Sequence, residues 1–154
     1  IVEQVLEASL DSALLFEALD RTVNPRELLE SVKNSLKPGG LCFITCLLAS
    51  GFEVQVLGST SGIFVPPERM NLLSFEGMNQ LIESTGGFEV LEFSTPAVLD
   101  IPNVIAKLDE MDLPVFFDYL FRIRKDPTLM KSFQEFLQLN RLGTFGRFVL
   151  KKNI

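Results

Sequence analysis

An α/β fold built around a parallel sheet is predicted by three features of the chain. Residues Asp11 to Thr45, DSALLFEALDRTVNPRELLESVKNSLKPGGLCFIT, read as one strand, helix, strand unit with each junction marked in sequence. Its second strand, Leu41 to Thr45, is apolar at nearly every position, the pattern of a strand covered on both faces. A connection of this length is most simply a right-handed crossover, which makes the two strands parallel.

Taken in order, Ile1 to Leu10 reads either as the end of a strand leading into a turn or as a short helix with Val2, Val5, Leu6 and Leu10 on one face. A strand over Ala13 to Glu17 follows, then an irregular link through Asp20-Arg21. Asn24 is placed to cap the next helix, Pro25 takes the first helical position, where a missing N–H costs nothing, and Glu27 completes a capping-box-like pair. Leu28, Leu29, Val32 and Leu36 mark the buried face of that helix. Lys33 and Lys37 suit the negative end of its dipole, and Pro38 with Gly39-Gly40 ends it. From Ala49 to Leu73 the pattern is irregular, with a short helix over Phe52 to Leu57; a long loop inside a compact domain is often functional.

Ser74 caps a helix with Met78, Leu81 and Ile82 inward, Gly86-Gly87 closes it, and Phe88 to Ser94 forms another strand. The last third has three short helices. They carry Val104, Ile105 and Leu108; then Phe116, Phe117, Leu120 and Phe121 after Asp112 and Pro114; then Leu129, Phe133, Phe136 and Leu137 after Asp126-Pro127. Phenylalanines at this spacing are expected in a core or a subunit interface rather than a ligand cage. A final strand runs from Phe145 to Lys151.

A chain of 154 residues fits one domain and buries roughly 70% of the surface its unfolded form exposes, enough for a core without disulfides or metals. No apolar run approaches the ~20 residues needed to span a bilayer, and Glu3 and Glu7 argue against a signal peptide at the start. Cys42 and Cys46 lie four apart in a strand, about 13 Å at ~3.3 Å per residue, too far to bridge. With no histidine and no third cysteine in the chain, buried reduced thiols of a cytoplasmic protein are expected and no metal is assigned. The net charge of −6 is uneven: residues 1–106 carry five basic and fourteen acidic side chains, residues 107–154 nine basic and six acidic. The acidic part argues against nucleic acid as a partner. Arg122, Arg124 and Lys125 are expected to be a solvated helix end.

The same residues resemble a family. DSALLFEALDRTVNPRELLESVKNSLKPGGLCFIT is similar to the second half of a class I S-adenosylmethionine-dependent methyltransferase, where a strand of the type DVVTAFEVLEH is followed by a helix ending LKPGG and a further strand. Pro66-Pro67-Glu68-Arg69-Met70-Asn71 is similar to the PPEHLN segment of a bacterial small-molecule subgroup. Glu83 to Leu91 is similar to LEKAGFEVLE, and Ser94-Thr95-Pro96 with Leu99-Asp100 to STPGKLD.

The resemblance implies a partial Rossmann-like methyltransferase sheet with flanking helices and an antiparallel last strand. It implies a single domain over 1–154, corresponding to the C-terminal half of that fold, with a helical insertion at 101–141 before the last strand. S-adenosylmethionine is the implied cofactor, lying against Phe16, Glu17 and Ala18, since ligands of open α/β sheets lie at the carboxyl ends of the strands. Asp20, Arg21, Arg69 and Asn71 are implied on the substrate side, and no catalytic residue is assigned.

The chain departs from the family in two ways. The glycine-rich ExGxGxG loop and the acidic residue that holds the cofactor ribose lie upstream of anything in it. Gly39-Gly40 cannot replace that loop, because it follows a helix and precedes a strand. Asp20-Arg21 stands where the family has Glu-His, and Arg69 where it has His, so a base or metal ligand supplied by those imidazoles is lost. The expected function is a small-molecule methyltransferase domain, incomplete as it stands and weak or inactive toward the cofactor alone. The alternative is a non-catalytic remnant serving association with itself or another chain. Half of a nicotinamide-dependent Rossmann enzyme is a third reading, with no matching motif. The expected partners are a small-molecule substrate and either a second copy or a missing N-terminal half.

Overall fold

The computed structural model of the chain describes residues 8–154. The expectation for residues 1 to 10 falls almost wholly outside them. Among the described residues four strands form one sheet, β1 (Leu10–Phe16), β2 (Leu36–Leu47), β3 (Phe88–Ser94) and β4 (Phe145–Lys152), in the order β1-β2-β4-β3. β1 and β2 are parallel, as a crossover through a helix requires, while β4 runs antiparallel to both β2 and β3. This is a partial Rossmann-like sheet with its last strand inserted antiparallel, as expected.

The crossover helix α2 (Pro25–Ser35) starts where its cap residues place it. The Glu27 amide donates to Asn24 Oδ1 at 3.2 Å, and Asn24 Nδ2 donates in turn to the Glu27 carboxylate at 3.2 Å. Its end differs from the expectation. The helix stops at Ser35, and Lys37-Pro38-Gly39-Gly40 belongs to β2, which begins at Leu36. Leu36 is fully buried and pairs with Leu10, after which the register shifts before Ser12 meets Leu41. The strand bulges at that shift, and glycine is required: Gly39 has φ +77°, and a Cβ on Gly40 would lie 2.9 Å from the Lys37 carbonyl oxygen and 3.2 Å from that of Asp11.

β2 is buried on one face only, which corrects the two-faced expectation. Cys42, Ile44 and Cys46 are sealed under α2 and α4 (Phe75–Thr85), whose Leu29, Val32, Met78 and Ile82 complete the core with Phe148 and Leu150 of β4. Phe75, Phe93 and Phe148 stack in a row there, with centroids 4.4 and 4.6 Å apart. On the opposite face Phe43, Thr45 and Leu47 are half-buried, and their β1 neighbours Leu14 and Phe16 are 60% and 63% exposed. Alternation is hidden in the sequence because both faces of this strand are apolar.

The remaining helices reach that face where Leu47 and Phe145 share a cavity with Glu53, Asp100 and Asn103. α3 (Phe52–Leu57), α5 (Asp100–Ala106), α6 (Val115–Asp118, continuing as a π-helix through Tyr119–Arg124) and α7 (Pro127–Leu139) build a second core. Phe52 meets Phe117 and Phe133 edge-on at 5.4 and 5.3 Å, and Phe121 is buried beside them. Phe116 and Phe136 stay largely exposed. Arg122 is not part of a solvated helix end: its guanidinium donates to the carbonyls of Leu108 and Met111 and pairs with Asp118 at 2.6 Å. The helix–loop–helix packing needs a donor there because the loop carbonyls face inward. Both cysteines are buried and unpaired; burial pushes the Cys42 thiol up to about 12 and raises that of Cys46 as well.

Candidate functional site

The carboxyl end of β1 gathers the residues expected to form a site. Phe16 ends the strand with its ring exposed, Glu17 turns the chain, and α1 (Ala18–Arg21) follows directly where an irregular link was expected. Glu17 sits at φ +50°, a left-handed conformation costly for a residue with a Cβ. Its amide holds the turn by donating to the Thr45 carbonyl at 2.8 Å and to Thr45 Oγ1 at 3.2 Å. Ala18 is partly buried against the main core.

The loop carrying Arg69 and Asn71 folds onto this turn. The amides of Met70 and Asn71 both donate to the Asp20 carbonyl, at 2.8 and 3.0 Å. Asn71 Nδ2 donates to the carbonyls of Leu19 and Thr22. Arg69 is only 15% exposed at its side chain and forks between two carboxylates, Glu17 at 2.7 Å and Asp20 at 2.9 Å. Arg21 lies 3.6 Å from Glu17 and pairs with Glu68, which lies in the PPEHLN-like segment but was not among the expected site residues. Glu17, Asp20, Arg21, Arg69 and Asn71 therefore meet, whereas Phe16 and Ala18 flank the cluster without joining its bonds.

Within the cluster the two acids differ. Asp20 is 3% exposed and its Oδ2 also accepts from the Leu47 amide at 3.1 Å, tying α1 to the end of β2. Burial pushes its carboxyl above the ordinary value, against the pull of the Leu47 amide and the Arg69 guanidinium. Glu17, with a third of its side chain exposed, is the acid that solvent reaches. Two guanidinium groups claim it, and neither arginine can take a proton. The cluster is a closed set of ion pairs that shapes a rim. Among the described residues no group of three or more His, Cys, Asp or Glu is placed to hold a metal ion.

A second polar cluster lies past the end of β2. Glu53 is 3% exposed, and its carboxylate accepts from Ser61 Oγ at 2.5 Å and Asn103 Nδ2 at 2.6 Å. Asp100, at 2% exposed, accepts from the Thr144 amide at 2.7 Å and from Gln134 Nε2 at 3.1 Å. Together with Leu47, Ile63 and Phe145 they line a cavity of about 140 Å³. Gly51 brings α3 against β4 so closely that a Cβ there would lie 2.2 Å from Thr144 Cα. The only sequence signal for these acids was their solitary charge among apolar neighbours, and Asp100 entered only through its resemblance to STPGKLD.

No protein-family model matches the sequence, and no curated relative matches it. Solved structures do match in three dimensions. A possible histamine N-methyltransferase from Thermotoga maritima, S-adenosylmethionine-dependent, is 16% identical with a TM-score of 0.58, over 97% of this chain and 59% of that one. Phosphoethanolamine N-methyltransferase 2 of Haemonchus contortus, in complex with phosphomonomethylethanolamine and S-adenosylhomocysteine, is 16% identical with a TM-score of 0.54, over 98% and 35%. The fold is part of that of a class I methyltransferase. The 4+2 cyclase SpnF matches as well, 14% identical with a TM-score of 0.54 over 96% and 51%. The methyltransferase fold thus hosts other chemistry, and identity this low speaks to fold alone. The chain spans between 35% and 59% of the length of these structures.

Proposed function

We propose that the chain is the C-terminal half of an S-adenosylmethionine-dependent methyltransferase for a small molecule, with its glycine-rich cofactor loop supplied by further polypeptide. The observation that carries this is the carboxyl edge of β1: an exposed Phe16 ring beside Glu17, held in a left-handed turn, on a methyltransferase-type sheet. Phe16, Glu17 and Ala18 fit one flank of the cofactor. In the turns that follow β1 and β2 the amides of Glu17, Gly51 and Phe52 are already engaged, with the carbonyls of Thr45, Leu48 and Leu142. The cofactor, when bound, supplies a methyl group on a sulfonium that is already a good leaving group. The protein's part is alignment. Arg21, Arg69 and Asn71, fixed by Glu68, Glu17 and Asp20, form the acceptor-side rim.

Calorimetry tests this reading. The 154-residue chain alone is expected to give no saturable heat with S-adenosylmethionine at micromolar concentrations, and the chain joined to the polypeptide encoded upstream of Ile1 is expected to bind. Low-micromolar binding by the isolated chain would overturn the division of labour. No binding by either would favour a non-catalytic role in association. That second reading is supported by the apolar sheet face and by β1, which pairs with β2 alone among the described residues.

A further inference from the structure

An apolar groove lies between α6 and α7, and none of its lining residues belongs to the cluster at the carboxyl edge of β1. It measures about 360 Å³, within the range of ~300–1,000 Å³ typical of small-molecule sites. Phe116, Tyr119, Phe133 and Phe136 form its walls, and Arg124 and Ser132 supply its polar rim. The walls are held in place: Phe116 packs edge-on against Phe117 at 5.5 Å, and Phe133 stacks on Phe136 at 6.1 Å. Yet Phe116, Tyr119 and Phe136 remain 65%, 50% and 49% exposed.

The charge of the groove is one-sided. Arg124 is the single charged residue lining it, no carboxylate joins it there, and it has no ion-pair or hydrogen-bond partner among the described residues. The neighbouring groove between α5 and α7 differs, since its Lys131 and Glu135 face each other at 3.9 Å. Other arginines of the chain are committed: Arg122 to two carbonyls and Asp118, Arg69 to Glu17 and Asp20. An aromatic trough ending in an uncommitted guanidinium complements an aliphatic chain that ends in an anion.

We propose that this groove binds a single-chain anionic amphiphile, an alkyl carboxylate, with the chain between the α6 and α7 aromatics and the carboxylate on Arg124. The inference is independent of the methyltransferase reading.

The chain provides its own reporter. It contains one tyrosine and no tryptophan, and that tyrosine, Tyr119, lines the groove. Titration with dodecanoate, dodecanol and dodecylammonium, each below its micelle concentration, is followed by Tyr119 emission. Dodecanoate is expected to saturate the signal and to bind about tenfold tighter than the alcohol, the scale of one charge-assisted hydrogen bond. Arg124→Gln, at an exposed position that leaves the core untouched, is expected to remove that difference while sparing the alcohol. Phe136→Ser is expected to weaken all ligands. Equal binding of all three would overturn the proposal, as would silence of Tyr119. Emission changes seen only with phosphatidylglycerol vesicles, and not with dissolved dodecanoate, would also overturn it and mark a membrane-facing patch.

Discussion

Replacing Arg69 with methionine is expected to destabilise the chain by about 3 to 5 kcal/mol, the cost of breaking a buried ion pair from one side. Arg69 forks between Glu17 and Asp20, and Asp20 has 4% of its side chain exposed, so its charge has no solvent to turn to. The methionine fills similar space but leaves that carboxylate with the Leu47 amide as its remaining donor. The loss has a pH signature. Asp20 already carries a carboxyl raised by burial, and Arg69 is one of the groups that lower it. Removing Arg69 raises it further, so the folded variant holds the proton more tightly than the unfolded chain does. The unfolded state is common to both proteins, so the penalty is complete above the variant's folded value and fades as pH falls through it toward the native chain's own raised value. Urea unfolding at pH 7 and pH 4.5 reads this as a larger loss at the higher pH. Arg21→Ala, at the exposed pair with Glu68, is expected to cost far less. Equal losses for the two variants would show that Asp20 is solvated.

Asp100→Ala is expected to cost about 3 kcal/mol, since two hydrogen bonds to a buried acceptor disappear together and leave their donors unpaired. The Thr144 amide at the entrance to β4 and the Gln134 side chain on α7 both lose their partner. Gln134 also accepts from the Ile101 amide and donates to the Ala97 carbonyl, so the loosening reaches the start of α5. Asp100→Asn keeps an oxygen for Thr144 and turns an amide toward Gln134, and about half the loss is expected. Urea midpoints of the two variants check this. A neutral Asp100→Ala would place the hold between the two cores elsewhere.

Much of the fold was legible because its signals are local. Asn24-Pro25, Ser74 and Asp126-Pro127 start helices by bonds within three residues, and each cap is formed. Residues Phe88 to Ser94 and Phe145 onward are strands as their patterns indicate. What was not legible depends on distant parts of the chain. The end of α2 is set by Leu36 finding Leu10, not by Pro38 and the glycines after it. The half-bare face of β2 could not be read from an all-apolar strand, because apolarity says a face can be buried, not that something buries it. The cluster at Glu17 was reached through resemblance to a motif. Glu53 stayed hidden, and Asp100 was reached only through resemblance, because their partners, Ser61, Asn103, Gln134 and Thr144, are ordinary polar residues whose convergence exists only after folding.

On the proposed reading, this half-sheet is completed by another polypeptide surface. Leu10–Phe16 pairs on one side only among the described residues, and Leu14, Phe16 and the half-buried Phe43, Leu47 and Val149 form an apolar face beside that edge. An unpaired apolar strand is a template for another chain. Light scattering of the purified chain at micromolar concentration tests this most directly. A dimer or larger assembly is expected, and a stable, monodisperse particle at the 17.2 kDa of one chain would contradict the account.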